Sequence, residues 1–536
     1  MILRATVAFV LAAALVGWPT ERSEAVTTEF PPGYEGYHTY AEMAAELDVA
    51  VAAYGTGPGA ILKRYLIGKS YEGRNIWAIK ISDNVAVDEN EPEVLSESLM
   101  HAREHITLEM NLYLIRLLTQ NYGKSTALGQ RVTAIVNSRE IWVIPLVNPD
   151  GAEYNISGGY FHGWRKNRQL NPGSSKIGID LNRNFSFMWA CCGGGSNKPR
   201  SARYRGRYPF EAVEAAVLRD FVLSRRIGGV QQLKLVLNWH SYGEFVIWPF
   251  GYTKEDVPKT MTLDDHKALV AIGRQMAALN GYRARQGSDS YIYDGDVTAW
   301  TYGDQRIISF TFEMYPRWGS KAGGFRPPDT VLERETTRNR DTILYALEQA
   351  DCPYRAAGLG ATRCGPLNDD FETGRGWAFA GGSGAFERGD PRRTATAAGV
   401  KQRGGVPSGL SALVTGAAAG ANANANDVDG STTALSPIFR LGGGAWTLRF
   451  RYTFAHSAAA TRADYLRVSV VAGATTTPIW TLAGKSSERN ARWRTKKLSL
   501  SAWAGQNVRL LIEARDGAAD TIVEAALDDM RIYRTP

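Results

Sequence analysis

The residues of this chain best spaced to do chemistry are two histidines and a glutamate. His101 and Glu104 stand in Leu99-Met100-His101-Ala102-Arg103-Glu104-His105, directly after an apolar, strand-forming run. A tight turn leaving a strand can aim a His and a Glu at this spacing toward one point. A third ligand must then come from a distant part of the chain. His240 qualifies, because it ends the run Leu235-Val236-Leu237-Asn238-Trp239, where a buried strand would emerge. Two imidazoles and one carboxylate leave a fourth position for water, the ligand set of a hydrolytic zinc ion. The chain has 7 histidines, and His105 and His162 are rivals for the same place. A His-x-x-Glu pair is common, so its meaning rests on the company it keeps.

The elements that must position these residues alternate in type. Apolar, β-rich runs occur at Ile76–Ile81, Val94–Met100, Ile141–Val147, Leu233–Trp239 and Ile307–Phe312. Helical patterns such as Leu108–Leu118, Ala212–Leu223 and His266–Leu279 lie between them. Strands separated by helix-length segments predict an α/β layer with a mostly parallel, buried sheet. After Cys364 the chain turns rich in Gly, Ala, Ser and Thr, with short alternating strands at Trp446–Tyr452, Tyr465–Val471 and Val508–Glu513. That pattern predicts an all-β sandwich. The expected division is a signal peptide over 1–25, a catalytic domain over 26–355, a linker over 356–368 and a β-sandwich accessory domain over 369–536. A chain of 536 residues is too long for one core, which agrees with this division. Ala417–Asn426 reads as a low-complexity loop inside the second domain.

Composition narrows the function classes. The net charge is +8, but 54 acidic residues are interleaved with 62 basic ones. So diffuse an excess favours solubility and does not point to nucleic acid. Residues Ala5 to Gly17 form an apolar run after Met1–Arg4, and small residues at Ser23 and Ala25 suit cleavage before Val26. That run is shorter than the roughly 20 residues that span a bilayer, so a secreted, extracellular chain without a membrane span is expected. Cys352 and Cys364 flank a short loop and can close a local disulfide. The adjacent Cys191 and Cys192 read equally as a vicinal disulfide or as buried thiols.

Several motifs now stand in a telling order: His101-Ala102-Arg103-Glu104, Trp164-Arg165-Lys166, Asp180-Leu181-Asn182-Arg183-Asn184, His240-Ser241-Tyr242 and Phe310-Thr311-Phe312-Glu313. In that order they resemble the zinc carboxypeptidase A family. Gly68-Lys69-Ser70-Tyr71-Glu72-Gly73-Arg74, Asn148-Pro149-Asp150-Gly151 and Asp294-Gly295-Asp296 are most similar to its bacterial carboxypeptidase T group. The resemblance covers about residues 30–355. It implies a mixed eight-stranded sheet flanked by helices, and a secreted metallocarboxypeptidase acting as a monomer on the C-termini of peptides and proteins.

It also implies roles for individual residues. His101, Glu104 and His240 would hold one Zn²⁺, with Asp180 fixing the first imidazole. Glu313 would serve as general base and then acid, and Arg165 would stabilise the oxyanion. Asn182 and Arg183 match the clamp for the substrate's free carboxylate, which a guanidinium can grip bidentately. Tyr291 stands at the family's spacing from Trp300 for the capping tyrosine; Tyr293 is a rival by proximity alone. Arg103 matches a basic residue further out in the cleft. Thr298 matches the base of the side-chain pocket, and Asp289 an acidic position in it. A broad preference follows, with apolar C-terminal residues favoured and basic ones accepted. Asp88, Glu89, Glu91, Glu93 and Glu140 match a structural Ca²⁺ site.

Many relatives carry a folded inhibitory segment ahead of the enzyme. Here similarity to the mature enzyme resumes near Phe30, so zymogen control of that kind is not expected. Some relatives cleave peptidoglycan stem peptides, but the Asn182-Arg183-Tyr291 set favours ordinary C-terminal residues. Catalytically silent relatives lack a ligand or the base, and here neither is missing. The accessory domain is expected to bind a surface or polysaccharide, or to stabilise the enzyme. Trp446, Trp480, Trp493 and Trp503 are available for binding, with core packing the default for most of them.

Overall fold

The computed structural model describes residues 30–535, apart from 90, 321, 419–422, 424, 426 and 518–520. The expected signal peptide lies outside the described residues, as does part of the low-complexity loop. Eight strands form the first sheet: β1 (Leu62–Lys69), β2 (Asn75–Ile81), β3 (Glu93–Ser98), β4 (Glu140–Ile144), β5 (Leu233–Gly243), β6 (Phe245–Trp248), β7 (Arg283–Gln286) and β8 (Ile308–Arg317). Their spatial order is β1-β2-β4-β3-β5-β8-β6-β7. β3 is parallel to β4 and to β5, β5 to β8, and β6 to β7. The remaining neighbours, β1/β2, β2/β4 and β8/β6, are antiparallel. The sheet is therefore mixed. Its centre and the β6/β7 edge are parallel, whereas β1 and β2 are antiparallel because they join through a short turn at Gly73 (φ 91°), where no helix intervenes.

Burial on both faces explains the apolar runs of the central strands. On β5, Leu235, Leu237 and Trp239 join one core with the helices Ile106–Asn121, Leu263–Asn280 and Arg340–Gln349. Val236 turns to the other face and joins a second core, under the helix Val213–Ser224. Trp239 stacks on Phe312 of β8 with ring centroids 4.2 Å apart, which fixes the lateral fit of the two strands that carry His240 and Glu313.

Residues beyond 365 form two antiparallel sheets packed face to face. One runs in the order Phe386–Gly389, Ala412–Thr415, Val523–Arg534, Trp446–His456, Arg494–Ser499. The other runs Ala378–Ala380, Gly430–Leu435, Asn507–Asp516, Tyr465–Ala472, Thr475–Ala483. Alternate residues such as Leu448, Phe450, Val468, Val470, Leu510 and Ile512 fill the space between them. Trp446 is buried in this core, and Trp480 and Trp503 pack against it. Trp480 lies edge-on to Tyr452 at 4.8 Å. None of the four tryptophans forms a strongly exposed platform.

Both cysteine pairs are disulfides, Cys191–Cys192 and Cys352–Cys364. The second closes the segment between the two domains. Beside it the domains meet through charge. Arg306 donates to Glu372 Oε2 across the junction (2.8 Å), and Arg363 Nε, in the connecting segment, donates to Asp264 Oδ2 (2.8 Å). Arg306 and Glu372 are both nearly inaccessible. Removing one partner of such a pair leaves the other charge buried, so Arg306→Ala should destabilise the protein by on the order of 3 kcal/mol. A urea titration followed by tryptophan fluorescence reads that cost; an unchanged midpoint would remove this pair from the account of domain docking.

Candidate active site

The site forms where the parallel strands end, the usual place for a ligand in a sheet of this kind. β3 stops at Ser98, and Leu99 takes a left-handed conformation (φ 52°) that turns the chain sharply. The turn is then tied down. Leu99 N–H donates to Thr107 Oγ1 (3.0 Å), Thr107 Oγ1 donates to Glu104 O (2.7 Å), and Glu104 N–H donates to His101 O (3.0 Å). His101 and Glu104 are held on this turn, ahead of the helix Ile106–Asn121. His240 lies on β5 and Glu313 on β8, and the parallel register pairs these two residues directly.

The Nδ1 atoms of both histidines face one carboxylate. His101 Nδ1 lies 3.0 Å from Glu104 Oε1, and His240 Nδ1 lies 2.8 Å from Glu104 Oε2. One ligand atom from each of the three residues lies within 4.8 Å of the others, and all three residues are buried. The opposite nitrogen of His101, Nε2, is 3.2 Å from Asp180 Oδ1. That carboxylate holds the proton on Nε2 and frees Nδ1 as a donor atom. Burial lowers His240 to about 4, which keeps its imidazole neutral, as ligation requires. Burial alone would raise Glu104, but His101 and His240 beside it hold its carboxyl well below the usual range. A buried carboxylate facing two imidazole nitrogens fits a divalent cation, and the donor set suits zinc. His105 is no rival: its Nε2 lies 3.1 Å from Asn155 Nδ2, and it belongs to another cluster beneath Phe30. His162 sits at the half-exposed loop by Ser157.

The motifs without chemistry of their own act as fasteners. Asn148 Nδ2 donates both to Met100 O (3.0 Å) and to Lys166 O (3.1 Å), joining the His101 turn to the segment of Arg165. A side chain at Gly151 would collide with Asn148 and with Lys166 O, 2.6 Å away. Asp150 accepts from Ser70 Oγ (2.6 Å), Glu72 N–H (2.7 Å) and Arg74 Nη1 (2.8 Å), which anchors the Gly68–Arg74 segment. Gly295 (φ 68°) lets the 294–296 loop press against the Arg183 carbonyl, and Asp296 caps the helix Val297–Gly303.

Around this turn, most of the other expected residues converge on a cavity of about 460 Å³, lined by His101, Glu104, Arg165, Asn182, Arg183, His240, Asp289, Tyr291 and Glu313 among others. Arg165 Nε donates to Asp180 Oδ2 (3.0 Å), and its Nη1 lies 4.0 Å from Glu104 Oε1. Burial opposes the charge on Asp180, yet Arg165 and His101 hold it far below the usual carboxylate range. Burial and the Glu104 carboxylate push Glu313 well above that range. Arg183 is buried and donates to the Tyr291 hydroxyl (2.8 Å). Asn182 Nδ2 lies 3.2 Å from His240 Nε2. Tyr291 is half exposed, whereas Tyr293 is less exposed, its ring against Gly251 and Gly287 and beneath the Arg183 guanidinium at 5.0 Å. The hydroxyl on Arg183 is thus that of Tyr291.

Two expectations meet a different geometry. Thr298 does not line the cavity; its hydroxyl donates to Asp296 Oδ1 (2.7 Å), one layer behind the wall. Helical geometry turns it inward, and Asp296 and Thr311 take the wall in its place. Arg103 stands further out, as expected, stacked on the rim residue Phe325 at 3.9 Å. The five acids matched to calcium divide into separate groups. Asp88, Glu93 and Glu140 gather on Arg225, and Glu140 also pairs with Lys80 (2.8 Å). Glu89 and Glu91 join Asp83 instead. Pocket residues that the motifs had not singled out include Phe245, Ile247 and Arg285, from β6 and β7. Their signal was the alternation just past His240 and in Arg283-Ala284-Arg285, too short to stand out.

Fold and donor set together define a zinc hydrolase with an α/β core. Residues 55–342 match the family of zinc carboxypeptidases, and the chain belongs to that family, whose members are metallocarboxypeptidases. Carboxypeptidase A is itself a reference case of the His₂Glu zinc site. The chain is 44% identical over 332 residues to a zinc carboxypeptidase of Saccharothrix mutabilis subsp. capreolus, covering 62% of this chain and 74% of that protein. It is 30% identical to carboxypeptidase A1 of Rattus norvegicus over 286 residues, which are 52% of this chain and 63% of the relative. Among solved structures, thrombin activatable fibrinolysis inhibitor superposes with a TM-score of 0.52 at 25% identity, covering 61% of this chain and 77% of that one. Because Asp180 holds the outer nitrogen of His101, Asp180→Asn should weaken zinc binding roughly 10- to 100-fold. Competition with a chromophoric chelator measures this; unchanged affinity would refute the assigned role.

Proposed function

We propose that this chain is a secreted zinc carboxypeptidase that hydrolyses the C-terminal peptide bond of peptides and proteins. The observation that carries the reading is one cavity in which the Arg183–Tyr291 pair lies beside the three metal-ligand candidates and Glu313. A free C-terminal carboxylate would dock on Arg183 and Asn182, with Tyr291 closing over it. That places the last peptide bond, and no other, near Glu313 and Arg165. Zinc, when bound by His101, Glu104 and His240, supplies a Lewis acid and an acidified water.

The rest is done by side chains. Glu313 takes a proton from the attacking water and delivers it to the departing amine, a task its elevated proton affinity suits. Arg165, oriented by Asp180, presents its guanidinium to the oxygen that gains charge. Phe245 and Ile247 give the side-chain pocket an apolar wall, which suits apolar C-terminal residues. Asp289 also lines it and would accept basic ones, although its Oδ2 already takes the Gln286 N–H (3.0 Å).

Residues 26–355 form the catalytic unit in this reading, and 369–536 the accessory one, with 356–368 between them. Export is supported by the leader-like sequence and by two disulfides, which persist in oxidising compartments. Among the described residues no helix is long and apolar enough to cross a membrane.

For calcium the better-fitting group is Asp83, Glu89 and Glu91. Each has a buried carboxylate oxygen without a hydrogen-bond partner, whereas Arg225 and Lys80 already neutralise the other acids.

Blocked dipeptides test the activity. The wild type should release the terminal amino acid and lose this on zinc chelation. Glu313→Gln should abolish turnover while one zinc per chain remains by metal analysis; retained turnover would refute the role of Glu313. Calcium at about 100 times its dissociation constant should stabilise the fold by roughly 2.7 kcal/mol, seen as a raised melting temperature. Loss of that rise in Glu91→Gln would locate the ion; a melting temperature indifferent to calcium would dismiss it.

A further inference from the structure

The wall of the side-chain pocket holds a cation that the proposed mechanism does not use. Arg285 lies on β7, in parallel register with Ile247 of β6. Both side chains line the same cavity as Arg183, Tyr291 and Glu313. The Arg285 guanidinium lies flat against the Phe245 ring, with its central carbon 3.4 Å from the ring centroid. That contact orients the planar fork and shields one face of it. Its Nε is buried without a partner, and among the described residues the group makes no hydrogen bond or ion pair.

Other arginines in or near the two domains' buried clusters are paired. Arg183, in the same cavity, is engaged by Tyr291 and by its own backbone neighbour Asn182. Arg225, Arg306 and Arg363 each hold a carboxylate. Arg285 is half-buried, so its terminal nitrogens stay open to the cavity and available to an anion, and the cavity offers none at contact distance. Asp289 and Glu313 influence Arg285 only from further away. Asp289 is itself exposed and caps the turn that follows β7, so it does not cancel the charge.

We infer that Arg285 is a specificity-determining residue whose guanidinium binds the carboxylate of an acidic C-terminal side chain, glutamate or aspartate. The inference rests on the carboxypeptidase reading and narrows it. The substrate's terminal carboxylate would lie on Arg183, and its side-chain carboxylate would find the fork of Arg285. Phe245 and Ile247 would pack the intervening methylenes. Basic C-terminal residues would meet like charge on Arg285, so the acceptance of Lys and Arg expected from Asp289 is disfavoured.

The experiment compares kcat/KM on blocked dipeptides ending in Glu, Gln, Leu or Lys, using the full-length zinc-loaded enzyme. Gln matches Glu in shape but lacks its charge. The wild type should prefer Glu to Gln by roughly tenfold or more, the factor a charge-assisted hydrogen bond is worth. Arg285→Met keeps the length and the apolar contact with Phe245, and should bring that ratio close to one. Arg285→Lys should keep part of the preference, and Arg285→Glu should move it toward C-terminal Lys. A wild-type Glu-to-Gln ratio near or below one, with Leu still released, overturns the inference and leaves the carboxypeptidase reading standing. So does a ratio that survives Arg285→Met. Release of no terminal residue from any of the four peptides overturns both.

Discussion

Two carboxylates, Glu104 and Glu313, face the same buried cavity, and their mutual repulsion in a poorly solvated space organises much of what surrounds them. Like charges confined this way do not both ionise unless cations lie close by. Glu104 has two imidazoles against it and stays ionised; Glu313 lacks them, so burial and the Glu104 carboxylate raise its affinity for a proton while Arg165, Arg285 and Arg183 act against the rise. One acid is thereby suited to hold a metal ion, and the other to the proton transfers of the proposed mechanism. Asp180 extends the same logic outward, since one carboxylate both fixes His101 and aims Arg165.

That electrostatic arrangement depends on strand register. Glu313 sits opposite His240 because β8 and β5 pair in parallel, and the stacking of Trp239 on Phe312 resists a slip. A shift by one residue would turn both functional side chains to the opposite face. The loops are held by different means. Asn148 ties two of them together through backbone carbonyls, and Asp150 and Asp296 tie others to neighbouring segments. Residues that never touch substrate thus recur as fixed motifs beside those that would.

The central strands and the His101, Glu104 and His240 set were legible because buried strands read as apolar runs and functional residues follow their ends. The edge strands were not. β6 and β7 are short, and β7 reads Arg-Ala-Arg-Gln, with no apolar pattern to mark it as a strand. Arg285 was hidden for that reason. Thr298 was misplaced by one layer because motif spacing locates a residue along the chain without saying which side of a helix faces the cavity. The run of acids near residue 90 concealed another such division: the outer pair, Asp88 and Glu93, turns toward Arg225, a partner distant in sequence, and Glu89 and Glu91 toward Asp83.

What the amino-acid order determined by itself is the chemistry on offer: a His₂Glu ligand set, a base at a strand end, an arginine clamp and an α/β core joined to a β-sandwich. These are properties of residue type and local spacing, and they survive in the chain before it folds. The tertiary structure alone decided which groups are neutralised and which are left wanting a partner. Glu140 meets Lys80, Arg306 meets Glu372, and Arg285 meets only the face of Phe245. Charge pairing across a fold depends on distance and burial, and neither is written in the spacing of residues along the chain.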